Sequence, residues 1–147
     1  NWQLAPLIGW GISQHRDHSP AVADPQGFSV EWIKVPAGQY SAPFQLDEAA
    51  VLVHADGPLA VSFNRGDQAL RTVLGPWDTL SMPSGCWRQF INHGTQDAHA
   101  LLVIAGDGRK APRFDAAVHA AAAQADRALD AGGRLARKSL LPPAMAV

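Results

Sequence analysis

The chain has 147 residues and a mass of 15.6 kDa, enough for one domain with a sizeable core. Hydrophobic residues make up 47% and charged residues 17%, which excludes a disordered chain, and a net charge of −1 offers no basic surplus to nucleic acid or an anionic membrane. A single cysteine, Cys86, excludes an internal disulfide framework and fits a reducing, cytoplasmic setting; no apolar run approaches the roughly 20 residues that span a bilayer, and no signal peptide is visible.

Residues 1–26 read as an irregular arm. Trp2, Leu4, Leu7, Ile8 and Trp10 are apolar anchors without clean periodicity, and Pro20, Pro25 and Gly27 argue against a helix. Such an arm suits the covering of a sheet, its own or a partner's. His15 and His18 have an H-x-x-H spacing that metals use, but solvated histidines are the commoner outcome in a loop.

The next segment, Phe28–Val35, alternates: Phe28, Val30, Trp32 and Lys34 share one face, Ser29, Glu31, Ile33 and Val35 the other. After a Pro36-Ala37-Gly38 turn, residues 41–46 form a second predicted strand, with Asp47-Glu48 as a polar corner. Residues 50–54 form a third, closed by Asp56-Gly57. Residues 59–63 and 69–74 are joined by Asn64-Arg65-Gly66-Asp67, a hairpin signal. Residues 79–82 and 87–91 flank the tight turn Pro83-Ser84-Gly85, since Pro presets φ and Gly accepts φ > 0. Asn92-His93-Gly94 turns again, and 99–104 is the last strand. About eight short strands bounded by turn residues predict an antiparallel sandwich or jelly roll over 27–110. From 111 to 147 the chain changes character. Residues 115–129 are alanine-rich, with Asp115 as N-cap and Gly132-Gly133 as the stop, so they predict a helix with a shallow face lying on the barrel or a partner. The tail through Pro142-Pro143 to Val147 reads as an extended or mobile end.

The stretch from Gly75 to Asn92 resembles the second signature of the cupin family, in which Pro-x-Gly is followed by two residues, a metal-binding histidine, three residues and an asparagine. Pro83, Gly85 and Asn92 match, and Arg88 stands in the histidine position. In the first signature, Gly38 and Gly57 fit the two glycines; Ala50 falls on the glutamate, and Phe44 and Leu46 (or Pro43 and Gln45) fall on the His-x-His pair. The resemblance spans roughly 38–104. It implies an all-β double-stranded β-helix, the cupin jelly-roll barrel, here with an N-terminal arm and one C-terminal α-helix. It also implies that no metal or other cofactor is bound at the usual place. A divalent ion needs several converging N or O donors at about 2.0–2.2 Å, which Phe44, Leu46 and Ala50 cannot supply, and a guanidinium repels it. The absence of an initiator Met fits a processed protein, a chain lacking its start, or an excised domain such as one half of a two-cupin chain.

By alternation Phe44, Leu46, Ala50, Leu52, His54, Arg88 and Phe90 face the interior. A buried guanidinium keeps its proton and wants a carboxylate. Two partners balance evenly: an internal acid, with Asp47, Glu48 and Asp78 as candidates, or a small ligand's carboxylate or phosphate. The ligand-binding set is then Arg88, His54, Phe44, Leu46 and Phe90, with no catalytic residue assigned. The expected function is a metal-free cupin domain that binds an acidic ligand or serves a structural role. The alternatives are a metal-independent, sugar-epimerase-like enzyme using His54 and Arg88, and a metal-dependent dioxygenase or isomerase using His54, His93 and His99. The Trp-bearing arm and exposed strand edges point to a homodimer. Cys86 reads as a plain turn cysteine and Gly106-Asp107-Gly108-Arg109-Lys110 as a poor phosphate loop.

Overall fold

The computed structural model describes residues 2–15, 17–24 and 26–142. Ten strands and one α-helix follow in order: β1 Gln3–Ile8, β2 Phe28–Val35, β3 Ala50–Asp56, β4 Leu59–Phe63, β5 Leu70–Leu74, β6 Thr79–Met82, β7 Arg88–Ile91, β8 Ala98–Ala105, α1 Ala116–Gln124, β9 Arg127–Leu129 and β10 Leu135–Arg137. Five strands form one sheet in the order β1-β2-β8-β3-β6, three form a second in the order β5-β4-β7, and β9-β10 is a separate hairpin. The two larger sheets enclose one core. Ile33, Leu52, Met82, Leu102 and Ile104 come from the first sheet and Leu59, Val61 and Phe90 from the second, each at most 2% exposed. Burying each such side chain contributes about 1.5–3 kcal/mol. The all-β jelly-roll expectation holds, with one C-terminal helix.

The predicted alternation of β2 holds: Ser29, Glu31, Ile33 and Val35 are the buried face. Other details differ from expectation. The arm contains a regular strand, β1, which pairs antiparallel with β2 and is interrupted between Pro6 and Ile8. Pro6 lacks an N–H, so it is tolerated on an edge strand with a bulge, and this irregularity hides the period-two pattern. The strand expected at 41–46 is reduced to isolated bridges, Phe44 to Arg88 and Gln45 to Arg113. Pro43 cannot donate to a ladder there.

Asp115 caps α1 as expected, accepting from the Val118 N–H at 2.9 Å. The helix ends at Gln124 rather than near 129. Asp126 adopts φ +53, and the chain folds back into the β9–β10 hairpin, whose turn holds Gly132 and Gly133. The end expected to be extended or mobile lies, from residue 143 on, outside the described residues. At the end of β8, Lys110 is 2% exposed, and its Nζ donates to the carbonyls of Gly106, Asp107 and Gly108 at 2.8, 2.7 and 3.0 Å. Among the described residues no helix is long and apolar enough to cross a membrane.

Candidate functional site

The structure buries every member of the interior set and places Phe44 beside both Arg88 and Phe90, while His54 has separate partners. Phe44, Leu46, Leu52 and Arg88 are fully buried, while His54 and Phe90 are 1% exposed. Arg88 enters from the first position of β7, opposite Phe63 of β4, and its guanidinium carbon lies 5.9 Å from the Phe44 ring centroid. Its Nη2 donates to the Pro83 carbonyl at 3.0 Å and its Nε to the Cys86 carbonyl at 3.4 Å. Nη1 is buried with no hydrogen-bond partner. Burial pushes the guanidinium below its ordinary value, partly offset by Cys86 and Glu48.

None of the three acids expected as an internal partner pairs with it. Asp47 pairs with Arg113 at 2.6 Å, and Asp78 accepts from the Gly75 N–H at 2.7 Å. Glu48 attracts Arg88 only through the field. The plug formed by an internal salt bridge is therefore not built.

His54 is held by backbone alone. Nδ1 lies 2.7 Å from the Gly75 carbonyl, and Nε2 lies 3.0 and 2.8 Å from the carbonyls of Asp56 and Gly57. Among the described residues no carboxylate, histidine or tyrosine side chain bonds to it, and both ring nitrogens already face carbonyl oxygens. His93 sits 3.2 Å from Arg71, and His99 stacks on Trp32 and pairs with Asp56 at 2.5 Å. The three histidines considered as displaced ligands thus have separate partners. Among the described residues no group of three or more His, Cys, Asp or Glu is placed to hold a metal. At the positions where the cupin signatures carry ligands, Phe44, Leu46 and Ala50 offer no donor and Arg88 offers a fixed positive charge, so these side chains do not fit a divalent ion.

The signature residues that do match are structural. Asn92 donates to the carbonyls of Val35 and Gln96 at 2.9 and 2.7 Å and accepts from the Gly94 N–H at 2.8 Å. Gly57 has φ +76, and a Cβ there would overlap the Asp97 backbone.

The sequence reading passed over Glu31. Its carboxylate is fully buried and accepts from the N–H groups of Ile12 and Ser13 at 3.0 and 3.1 Å. Gly11, at φ +52, lies so close that a Cβ would overlap the carboxyl. Burial is the largest effect and raises the group from its ordinary 4.5 to about 7, against the pull of those two N–H groups and of Arg109. The signal was visible, since Glu31 shares a face with Ile33 and Val35.

Open space lies outside this filled interior, at the barrel mouth. Trp2 stacks on Phe44 with centroids 5.7 Å apart and meets Phe90 at 5.5 Å, and Phe114 lies 6.5 Å from Phe44. Against this aromatic floor are a cavity of about 500 Å3 reaching α1 and the hairpin and one of about 440 Å3 bordered by His15, His18 and Phe44. The rings of His15 and His18 are 4.9 Å apart, and the Ser13 hydroxyl lies 3.0 Å from His18 Nδ1. Of the predicted ligand residues only Phe44 borders a described cavity; Arg88, His54, Leu46 and Phe90 do not.

No family model matches the chain, and no curated protein matches it. Among solved structures it is similar to the DMSP lyase DddQ from Ruegeria pomeroyi DSS-3, at 21% identity and TM-score 0.61, covering 77% of this chain and 51% of that one. It is also similar to a recombinant oxalate oxidase in complex with glycolate, at 14% identity and TM-score 0.59, covering 77% and 54%. A vicilin from Solanum lycopersicum (tomato) gives 14% identity and TM-score 0.55 over 60% and 26%. The chain therefore spans about half the length of the first two proteins and about a quarter of the third. These likenesses, with the sheet order above, give the chain the fold of a cupin-type domain.

Proposed function

We propose that this cupin-type domain is a metal-free module that binds a small acidic ligand at Arg88, with no catalysis assigned. One observation carries the reading: the Arg88 guanidinium is buried without a carboxylate, and Nη1 has no acceptor. Such a donor is costly to leave unmade, and a carboxylate or phosphate satisfies it. Phe44 stands beside it and borders the 440 Å3 cavity, so rotation of that ring into the cavity is the proposed entry. In this proposal Leu46 and Phe90, which share the core with Phe44, line the site, and His54 is its more distant member. The enzyme reading based on His54 is the weaker one, because both ring nitrogens already face carbonyl oxygens.

Thermal unfolding with acetate, succinate or phosphate, against acetamide as the neutral control, tests this. The acids raise the midpoint of the native protein, through a stabilisation of about 2.7 kcal/mol at a hundredfold excess over Kd, and leave that of Arg88→Met unchanged. The reading fails if no acid stabilises the native protein, or if dialysed protein retains a stoichiometric metal. A cytoplasmic homodimer belongs to the same proposal. Leu70 and Val73 are 67% and 76% exposed on the edge strand β5, which suits pairing of copies. A monomer at every concentration in sedimentation would remove that part.

A further inference from the structure

The nine residues of α1 include none that is buried. A helix of this length ordinarily rests an apolar stripe on its neighbours. Here Val118, Ala122 and Ala123 border the 500 Å3 cavity instead, facing Trp2 and Phe114 across it. Alanine on these turns keeps the space open. A longer apolar side chain would take up part of it, so the alanine-rich composition helps keep the cavity open. Its volume lies within the range of small-molecule sites, roughly 300–1,000 Å3.

Two further features give the space a chemistry. Its charged border is of one sign: Arg127 and Lys138 line it together with His119, and no Asp or Glu is among the described residues that do. Gln14 also borders it, and the Gln14 Nε2 is a buried donor without a hydrogen-bond partner. An apolar, aromatic floor with a basic rim and an unmet amide donor complements a molecule that is apolar along its body and anionic at one end.

We propose that the cavity under α1 binds an amphiphilic monoanion, a carboxylate on a medium-length aliphatic or aromatic body. The body lies along Trp2, Phe114 and the alanines of α1; the carboxylate meets the basic rim, and Gln14 donates to an oxygen of the ligand. This site is separate from Arg88, which borders no described cavity, and it stands whether or not the interior binds an acid.

Calorimetric titration of the whole chain with octanoate, with octanol as the uncharged control, tests it. Octanoate binds one to one and at least tenfold more tightly than octanol. Ala122→Leu, which narrows the space where the body lies without touching a charge, weakens octanoate at least tenfold, and so does the double variant Arg127→Glu, Lys138→Glu. Arg88→Met leaves octanoate binding intact while losing the response to acetate and phosphate, so the two sites fail independently. Should a helix variant not fold, Gln14→Leu provides the same reading on a different element. Equal affinity for octanol and octanoate overturns the proposal, as does unchanged binding by Ala122→Leu. A dimer in sedimentation that Ala122→Leu dissociates would place a second copy in the cavity, and that too overturns it.

Discussion

Inside the barrel Phe44, Leu46, Leu52 and Phe90 are at most 1% exposed, while over the mouth α1 lays down alanines and buries none of its residues. The two regions touch through Trp2 and Phe114, yet follow opposite rules. Large side chains from two sheets consume the interior volume and hold its geometry; small ones on a single helix leave volume unclaimed. Where the fold is specified most tightly a guest reaches Arg88 only by displacing the Phe44 ring, and where there is open room the chain spends little on its own packing. Function in this domain is accordingly sought at the seam between the two.

The widest gap between the regions is in stability. Leu102→Ala, in the centre of β8, is expected to cost about 2–5 kcal/mol, because the surrounding sheets cannot collapse into the hole. Val118→Ala on α1 is expected to cost under about 1 kcal/mol, since its side chain already borders space. Urea denaturation of both variants measures the contrast; equal losses would mean that α1 packs down in solution and the cavity closes.

A pH series sharpens the interior side. Glu31 titrates near 7 in the fold against an ordinary 4.5, chiefly through burial. Between those values the native state keeps a proton that the unfolded chain has given up. This contribution is therefore fully present below about pH 4.5 and is lost as pH rises through 7, by up to about 3 kcal/mol. Unfolding free energies at pH 5 and pH 8.5 should differ in that direction for the native protein and much less for Glu31→Gln. A flat profile in the native protein would show the carboxyl to be better solvated than its burial implies.

The smallest effect belongs to Arg88. Without added ligand, Arg88→Met is expected to be neutral or stabilising by about 1 kcal/mol, because a desolvated charge without a counter-charge is replaced by an apolar chain of similar length. Loss of the Pro83 and Cys86 contacts opposes this gain. A loss of several kcal/mol would identify the guanidinium as a structural clasp and remove the reason to assign it a ligand.

Much of the interior was legible because period two is a strong signal when both ends of a strand are marked by turns. The alternation of β2, the inward Arg88 and the Asp115 cap all follow from local pattern. β1 was not legible, since Pro6 and the bulge before Ile8 break its alternation. The early end of α1 was hidden for a different reason. Arg127, Ala128 and Leu129 have good helix propensity, yet tertiary pairing draws them into a strand. Glu31 was on the page as an acid among Ile33 and Val35, but only the approach of Gly11, Ile12 and Ser13 explains why it is tolerated there. That His54 Nδ1 meets the Gly75 carbonyl, and that the alanine face lies over open space, depend on chain segments far apart in sequence. No window of residues contains them.

The clasp at the end of β8 has a consequence for how the domain meets its surroundings. A surface pair such as Lys34 with Asp97, 2.7 Å apart, weakens in salt and is lost when acid protonates the carboxylate. The Lys110 ammonium is gripped by three backbone dipoles instead, with no paired carboxylate among the described residues to screen or protonate. That grip is therefore indifferent to the salt and acid that loosen the ion pairs on the surface, whereas another fastening of the same loop, the Asp107 carboxylate accepting from the Gly27 N–H at 2.6 Å, is not.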